Sequence, residues 1–231
     1  MSSGRAGEQA PPAAAAGAGR LLGRGYQGAV YLRERNGKPV IVKVPIGRGP
    51  ARAARRAMLR REYRVYQRLA GIPGVPRCEG LAQGEQLLLE YVQGPSLREV
   101  ELTGAARERF FDELLRLIRA MHAAGVAHGD LKRKDNILVG PDGTPYLIDF
   151  GTALTIEQRA SAPRRWLFRQ LRRIDINAWV KLKYQRHMPA MNAADALLYR
   201  PTLPERIARP LRRAWRTVTM RRTRKSRRQA P

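Results

Sequence analysis

Ala127-His128-Gly129-Asp130-Leu131-Lys132-Arg133-Lys134-Asp135-Asn136-Ile137-Leu138, followed eight residues later by Leu147-Ile148-Asp149-Phe150-Gly151, is the stretch on which the reading turns. Asp130, Asn136 and Asp149 fall where a loop and short apolar runs meet, so three oxygen-bearing side chains cluster at loop and strand ends. Hard oxygen ligands of this kind beside a nucleotide are what Mg²⁺ requires. A carboxylate relieved of metal duty is what a substrate hydroxyl needs as its proton acceptor. The bland alternative is a set of capping and turn acids.

The residues upstream carry matching chemistry. Gly23-Arg24-Gly25-Tyr26-Gln27-Gly28-Ala29-Val30 spaces its glycines so that backbone can approach phosphates closely. A strand pattern follows it where a dinucleotide-binding fingerprint would place a helix. Lys43 lies mid-strand in Val40-Ile41-Val42-Lys43-Val44. Met58, Glu62, Val65, Tyr66 and Leu69 share one helical face over residues 50 to 70, and Glu62 is the only acid between Arg48 and Arg68. A carboxylate on a buried face is costly unless paired, and Lys43 is the natural partner.

At these residues the chain resembles the protein-kinase-like superfamily, over about Arg20 to Ala153. The resemblance implies an α+β, two-lobed kinase-like fold with a small β-rich N-lobe (20–92) and a truncated helical C-lobe (93–215), with ATP and Mg²⁺ held between lobes. It implies that Gly23, Gly25 and Gly28 cover the phosphates, with Val30 beside them, and that Lys43 holds phosphate with Glu62 as its partner. Asp130 would be the catalytic base, Lys132 would stand near the transferred phosphate, and Asn136 and Asp149 would ligate Mg²⁺. Glu90-Tyr91-Val92 resembles the hinge, whose backbone at Glu90 and Val92 would bond the adenine edge.

Three departures qualify the likeness. Gly129 stands where the family's His-Arg-Asp has Arg, which speaks against switching through a phosphorylated activation loop. One extra residue separates Asp130 from Asn136. No Ala-Pro-Glu follows Asp149-Phe150-Gly151. The pattern is similar to compact atypical kinases, the RIO type and the lipopolysaccharide-core sugar kinases among them. Asp130-Leu131-Lys132 favours a Ser/Thr protein-kinase-like phosphotransferase acting on a hydroxyl acceptor, protein or sugar/lipid. A sugar or lipid hydroxyl of lipopolysaccharide core is the alternative acceptor, and a membrane-held nucleotide-binding pseudokinase is the rival reading.

Composition bounds what remains. In 231 residues, 43% are hydrophobic and the formal net charge is +26, so a core can form and polyanions are the expected partners. Residues 1–158 hold 24 basic and 16 acidic side chains, and residues 159–231 hold 21 and 3. The single Cys78 excludes an internal disulfide and suits a reducing compartment. A cytoplasmic protein is expected, peripheral to the inner membrane face if the basic third binds lipid. Residues 1–19 read as a flexible leader and 216–231 as a basic tail. Residues 159 to 184 read either as core helices or as a cationic membrane-binding surface. The second reading requires Trp166, Phe168 or Trp179 to share one exposed face ringed by Arg and Lys. Specific nucleic-acid binding lacks any reading motif. His128 is expected to scaffold the catalytic loop, and Cys78 to be a small buried hydrophobe.

Overall fold

The computed structural model describes residues 19–25, 28–82, 85–185 and 187–201; the expected leader to residue 18, the last part of the C-lobe and the basic tail lie outside them. The chain divides into two compact units. One comprises the residues up to Gly71 together with Val75–Gln93, and the other Ile72–Gly74 and the residues from Gly94 onward.

The first unit is a five-stranded antiparallel sheet with one helix. Strands β1 (Arg20–Gly25), β2 (Gly28–Arg35), β3 (Lys38–Val44), β4 (Cys78–Ala82) and β5 (Gln86–Glu90) lie in the order β1-β2-β3-β5-β4. The β2–β3 hairpin turns at Asn36 (φ 52°) and Gly37 (φ 73°), two consecutive left-handed residues whose twist matches that of the flanking strands. Helix α1 (Gly49–Arg68) enters between β3 and β4. Its buried stripe is Leu59, Glu62, Val65 and Tyr66, continued by Leu69 just beyond the helix end. Met58, expected in that stripe, is only half-buried, because the stripe runs through Leu59.

The second unit is mainly helical. Helix α2 (Gly104–Ala123) buries Phe110, Phe111, Leu114, Leu117, Ile118 and Met121. Two small strand pairs follow: β6 (Val126–Ala127) pairs with β9 (Leu154–Thr155), and β7 (Ile137–Val139) pairs with β8 (Pro145–Leu147). A 23-residue helix, α3 (Ala162–Tyr184), then packs on α2, and a short helix α4 (Ala193–Leu198) closes the described chain.

Helix α3 carries the part of the basic third that runs from residue 162 to 184. Its first two turns are exposed, with Trp166 at 50% and Leu167 at 44% of full accessibility. Its later turns are enclosed on nearly every side: Ala178, Trp179, Val180 and Leu182 are buried. Trp179 is fully buried and its Nε1 donates to the Phe111 carbonyl at 2.7 Å, so it pins α3 to α2. Phe168 is 6% exposed. Of the three residues that a membrane-binding face would share, Trp166 is exposed, while Phe168 and Trp179 are buried. No helix among the described residues is long and apolar enough to cross a membrane.

Candidate active site

In the first unit, register places Val30 directly opposite Lys43 across β2 and β3, so both side chains leave the same face of the sheet. The Lys43 ammonium lies 2.6 Å from Glu62 Oε1. The carboxylate is fully buried and the lysine 13% exposed, which gives α1 a fixed rotation about its axis. Burying an ion pair costs desolvation that only close geometry and further hydrogen bonds offset.

The glycines divide by role. A Cβ on Gly28 would stand 2.1 Å from the Val44 carbonyl oxygen, so close strand packing demands glycine there. A Cβ on Gly23 or Gly25 would meet nothing within 4 Å, and neither has a positive φ. The fold itself thus makes no use of their missing side chains; the cradle is open to a group from outside, as a phosphate approaching backbone requires. Glu90 ends β5, and its amide donates to the Arg77 carbonyl at 2.8 Å while its carboxylate accepts from the Arg77 amide at 2.9 Å. Adenine recognition at Glu90 would accordingly fall to its carbonyl. Val92 follows two residues on, half-buried in irregular backbone.

In the second unit a hydrogen-bond chain assembles the three expected oxygen residues. Asn136 Nδ2 donates to the Asp130 carbonyl at 3.0 Å. The Ile148 amide donates to the Asn136 carbonyl at 3.0 Å, and the Ile148 carbonyl lies 3.1 Å from His128 Nε2. With Nδ2 donating to that carbonyl, the amide oxygen of Asn136 is the atom that would be left to ligate a metal. Asp149 has φ 62° and ψ 68°, a left-handed conformation uncommon for a residue with a Cβ and typical of constrained functional positions. Lys132 is exposed, with Nζ 4.0 Å from Asp130 Oδ1.

The additional residue between Asp130 and Asn136 is absorbed locally. The Arg133 amide bonds the Asp130 carbonyl and the Asn136 amide bonds the Arg133 carbonyl, so two tight turns follow one another and end in a 3₁₀ turn, Lys134–Asn136. Asp135 is clamped by Arg98 through two bonds of 2.6 and 2.8 Å, and this partner holds its carboxyl below the usual aspartate range. Gly129 has φ 79°, a conformation an arginine would adopt only with strain.

Sequence reasoning missed Asp175. This fully buried carboxylate on α3 accepts from His122 Nε2 at 2.9 Å, from the His128 amide at 2.8 Å and from the Gly129 amide at 2.8 Å. It is one of three acids after residue 158, so the argument that singled out Glu62 applies to it equally. His128 serves the loop as scaffold, its ring packed 5.0 Å from that of Phe150. Cys78 is half-buried, and burial pushes its thiol up, away from the reactive thiolate.

Among the described residues no group of three or more His, Cys, Asp and Glu is placed to hold a metal. Asn136 and Asp149 suit the other kind of site, in which Mg²⁺ takes one or two protein oxygens and the remainder from phosphate and water.

The first unit thus holds a buried lysine–carboxylate pair and the second an Asp130/Asn136/Asp149 loop set, each with the residue types of phosphotransferases. The model of the protein kinase domain matches residues 17–169, and the chain belongs to that family. It is 35% identical over 160 residues to CBL-interacting protein kinase 25 of Oryza sativa subsp. japonica, covering 62% of this chain and 31% of that protein. It is 34% identical over 143 residues to serine/threonine-protein kinase PknH of Mycobacterium tuberculosis, covering 58% and 23%. Casein kinase I homolog 2 of Saccharomyces cerevisiae is 31% identical over 153 residues, covering 58% and 26%. The chain spans less than a third of the length of these relatives.

Proposed function

We propose that this protein transfers the γ-phosphoryl group of ATP to a serine or threonine hydroxyl of a protein. The observation that carries the reading is the bond from Asn136 Nδ2 to the Asp130 carbonyl. It ties the proposed metal ligand to the proposed base despite the additional loop residue. Asp130 accepts the acceptor's hydroxyl proton, and exposed Lys132 steadies the transferred phosphate. Lys43, oriented by Glu62, anchors the α- and β-phosphates, while Gly23 and Gly25 let backbone close over them. Asn136 and Asp149 would hold Mg²⁺, which when bound neutralises charge on the phosphates. Glu90 and Val92 would bond the adenine edge.

The protein acceptor is supported by the similarity to PknH, which is named a serine/threonine-protein kinase; a lipopolysaccharide sugar acceptor has no comparable support. The pseudokinase reading is weakened by the intact loop set. A cytoplasmic location is proposed from the ATP requirement and the single unpaired cysteine. Contact with an anionic membrane keeps as its support exposed Trp166 and Leu167 beside Arg164 and Arg165.

The test is incubation of the purified chain with labelled ATP, Mg²⁺ and a generic protein acceptor. Label is expected on Ser or Thr, lost in Asp130→Asn. ATP binding without transfer to any protein, lipid or sugar acceptor would replace this reading by the pseudokinase.

A further inference from the structure

Five arginines from three parts of the second unit converge on a pocket of about 360 Å³: Arg119 of α2, Arg169, Arg172 and Arg173 of α3, and Arg200 beyond α4. None of these guanidinium groups forms an ion pair with a carboxylate among the described residues, and no acid lines the pocket. Elsewhere the same chain pairs its arginines readily, as Arg98 with Asp135 and Arg56 with Glu85 show. A charged helix face merely turned to solvent would be convex; this one is gathered around a concavity. His122 also lines the pocket, and its Nε2 is taken by the buried Asp175 carboxylate behind it; the five arginines, with no carboxylate partner of their own among the described residues, repel one another, and an anion of matching size relieves that repulsion. Arg presents a planar fork that binds phosphate through two parallel bonds. The backbone around Arg200 is fixed by reciprocal bonds to the Asn177 side chain, at 2.7 and 3.0 Å, so one wall of the pocket is held in place. Leu197, 79% exposed, stands on the rim.

We propose that this pocket is a binding site for a compact ligand carrying two or more phosphate groups, either a free oligophosphate or the phosphorylated headgroup of a lipid. It lies wholly within the second unit, shares no residue with the proposed phosphotransfer set, and does not depend on the kinase reading.

Titration calorimetry of the full chain with orthophosphate, pyrophosphate and tripolyphosphate tests it, on wild type and on Lys43→Met so that the ATP site is separately addressed. Saturable binding that tightens with phosphate number and survives Lys43→Met is expected. The charge-conserving pair Arg172→Lys/Arg173→Lys should weaken it about tenfold, the effect of losing one charge-assisted bond. The equal-charge control Arg221→Lys/Arg222→Lys should leave it unchanged. Sedimentation with phosphatidylcholine vesicles doped with phosphatidic acid, against phosphatidylserine at equal charge, separates the sources. Arg172- and Arg173-dependent preference for phosphatidic acid identifies a lipid headgroup, and tripolyphosphate binding without that preference identifies a free ligand. The proposal is overturned by absence of binding in both assays, by loss of binding in Lys43→Met, or by equal weakening in the pocket and control pairs.

Discussion

The carboxylate of Asp175, in the buried half of α3, accepts the backbone amide of Gly129, the residue immediately before Asp130, at 2.8 Å. The same carboxylate takes the His128 amide and the His122 ring. Three donors therefore converge on one buried charge, and the loop that carries the proposed base is suspended from a helix more than forty residues downstream in sequence.

Removing that anchor strands all three donors. Each buried donor left without a partner costs roughly 1–3 kcal/mol, so Asp175→Ala should lower unfolding stability by about 3–5 kcal/mol. Asp175→Asn, which keeps one acceptor, should cost less. Urea denaturation measures the loss, and an unchanged midpoint in Asp175→Ala would contradict the anchoring role.

The loop carboxylates should separate by kinetic signature. Asp149→Asn is expected to lower turnover by orders of magnitude and to weaken the dependence on Mg²⁺ concentration. Asp130→Asn should slow transfer as severely while leaving ATP affinity nearly intact, because its proposed partner is the acceptor hydroxyl. Equal loss of ATP binding in both variants would count against the assigned division of labour.

For Lys43 and Glu62 a double-mutant comparison is decisive. Lys43→Met removes the ammonium beside a fully buried carboxylate, so it should cost both stability, about 3–5 kcal/mol, and activity. Adding Glu62→Leu should recover much of the stability and none of the activity. Recovery of activity in the double variant would show that the pair is only structural.

Alkaline pH should loosen the packing of α4 on α3. Lys183 is 6% exposed at its side chain and lies 3.0 Å from Asp195 and 3.2 Å from Glu108. Burial works against the ammonium, but the hydrogen bonds it donates to Asp195 and Glu108 outweigh it and hold its pKa above the ordinary lysine value. Burial, then the hydrogen bond to Asp195, pushes the Tyr184 phenol up as well. Both folded values are raised, so their contribution is complete below the unfolded values, about 10 for Tyr and 10.4 for Lys. It is lost as pH rises through the folded ones. The thermal midpoint should be level between neutrality and about pH 9 with respect to these groups and fall above about pH 10. Lys183→Met/Tyr184→Phe should remove that part of the decline.

Local pattern was enough for the sheet, the helices and the oxygen-bearing loop set. The Asn36-Gly37 turn, the stripe of α1 and the run of α2 are encoded within a few residues of themselves, through backbone preference and periodic burial. Glu62 was legible because a lone acid on an apolar face demands a partner, and Lys43 was the one available on the preceding strand. What separates residues far apart in sequence was not legible. Whether Trp179 faces solvent or α2 depends on which helix lies beside it, and periodicity is the same in both cases. The register of the additional loop residue was likewise open, until Arg98 and the paired turns absorbed it. Asp175 and the arginines around the pocket gain their meaning only when α2, α3 and the segment beyond α4 are brought together. Residues 159 to 184 read equally as core helices or as a cationic surface, and long-range packing alone distinguishes a buried acceptor from a surface charge.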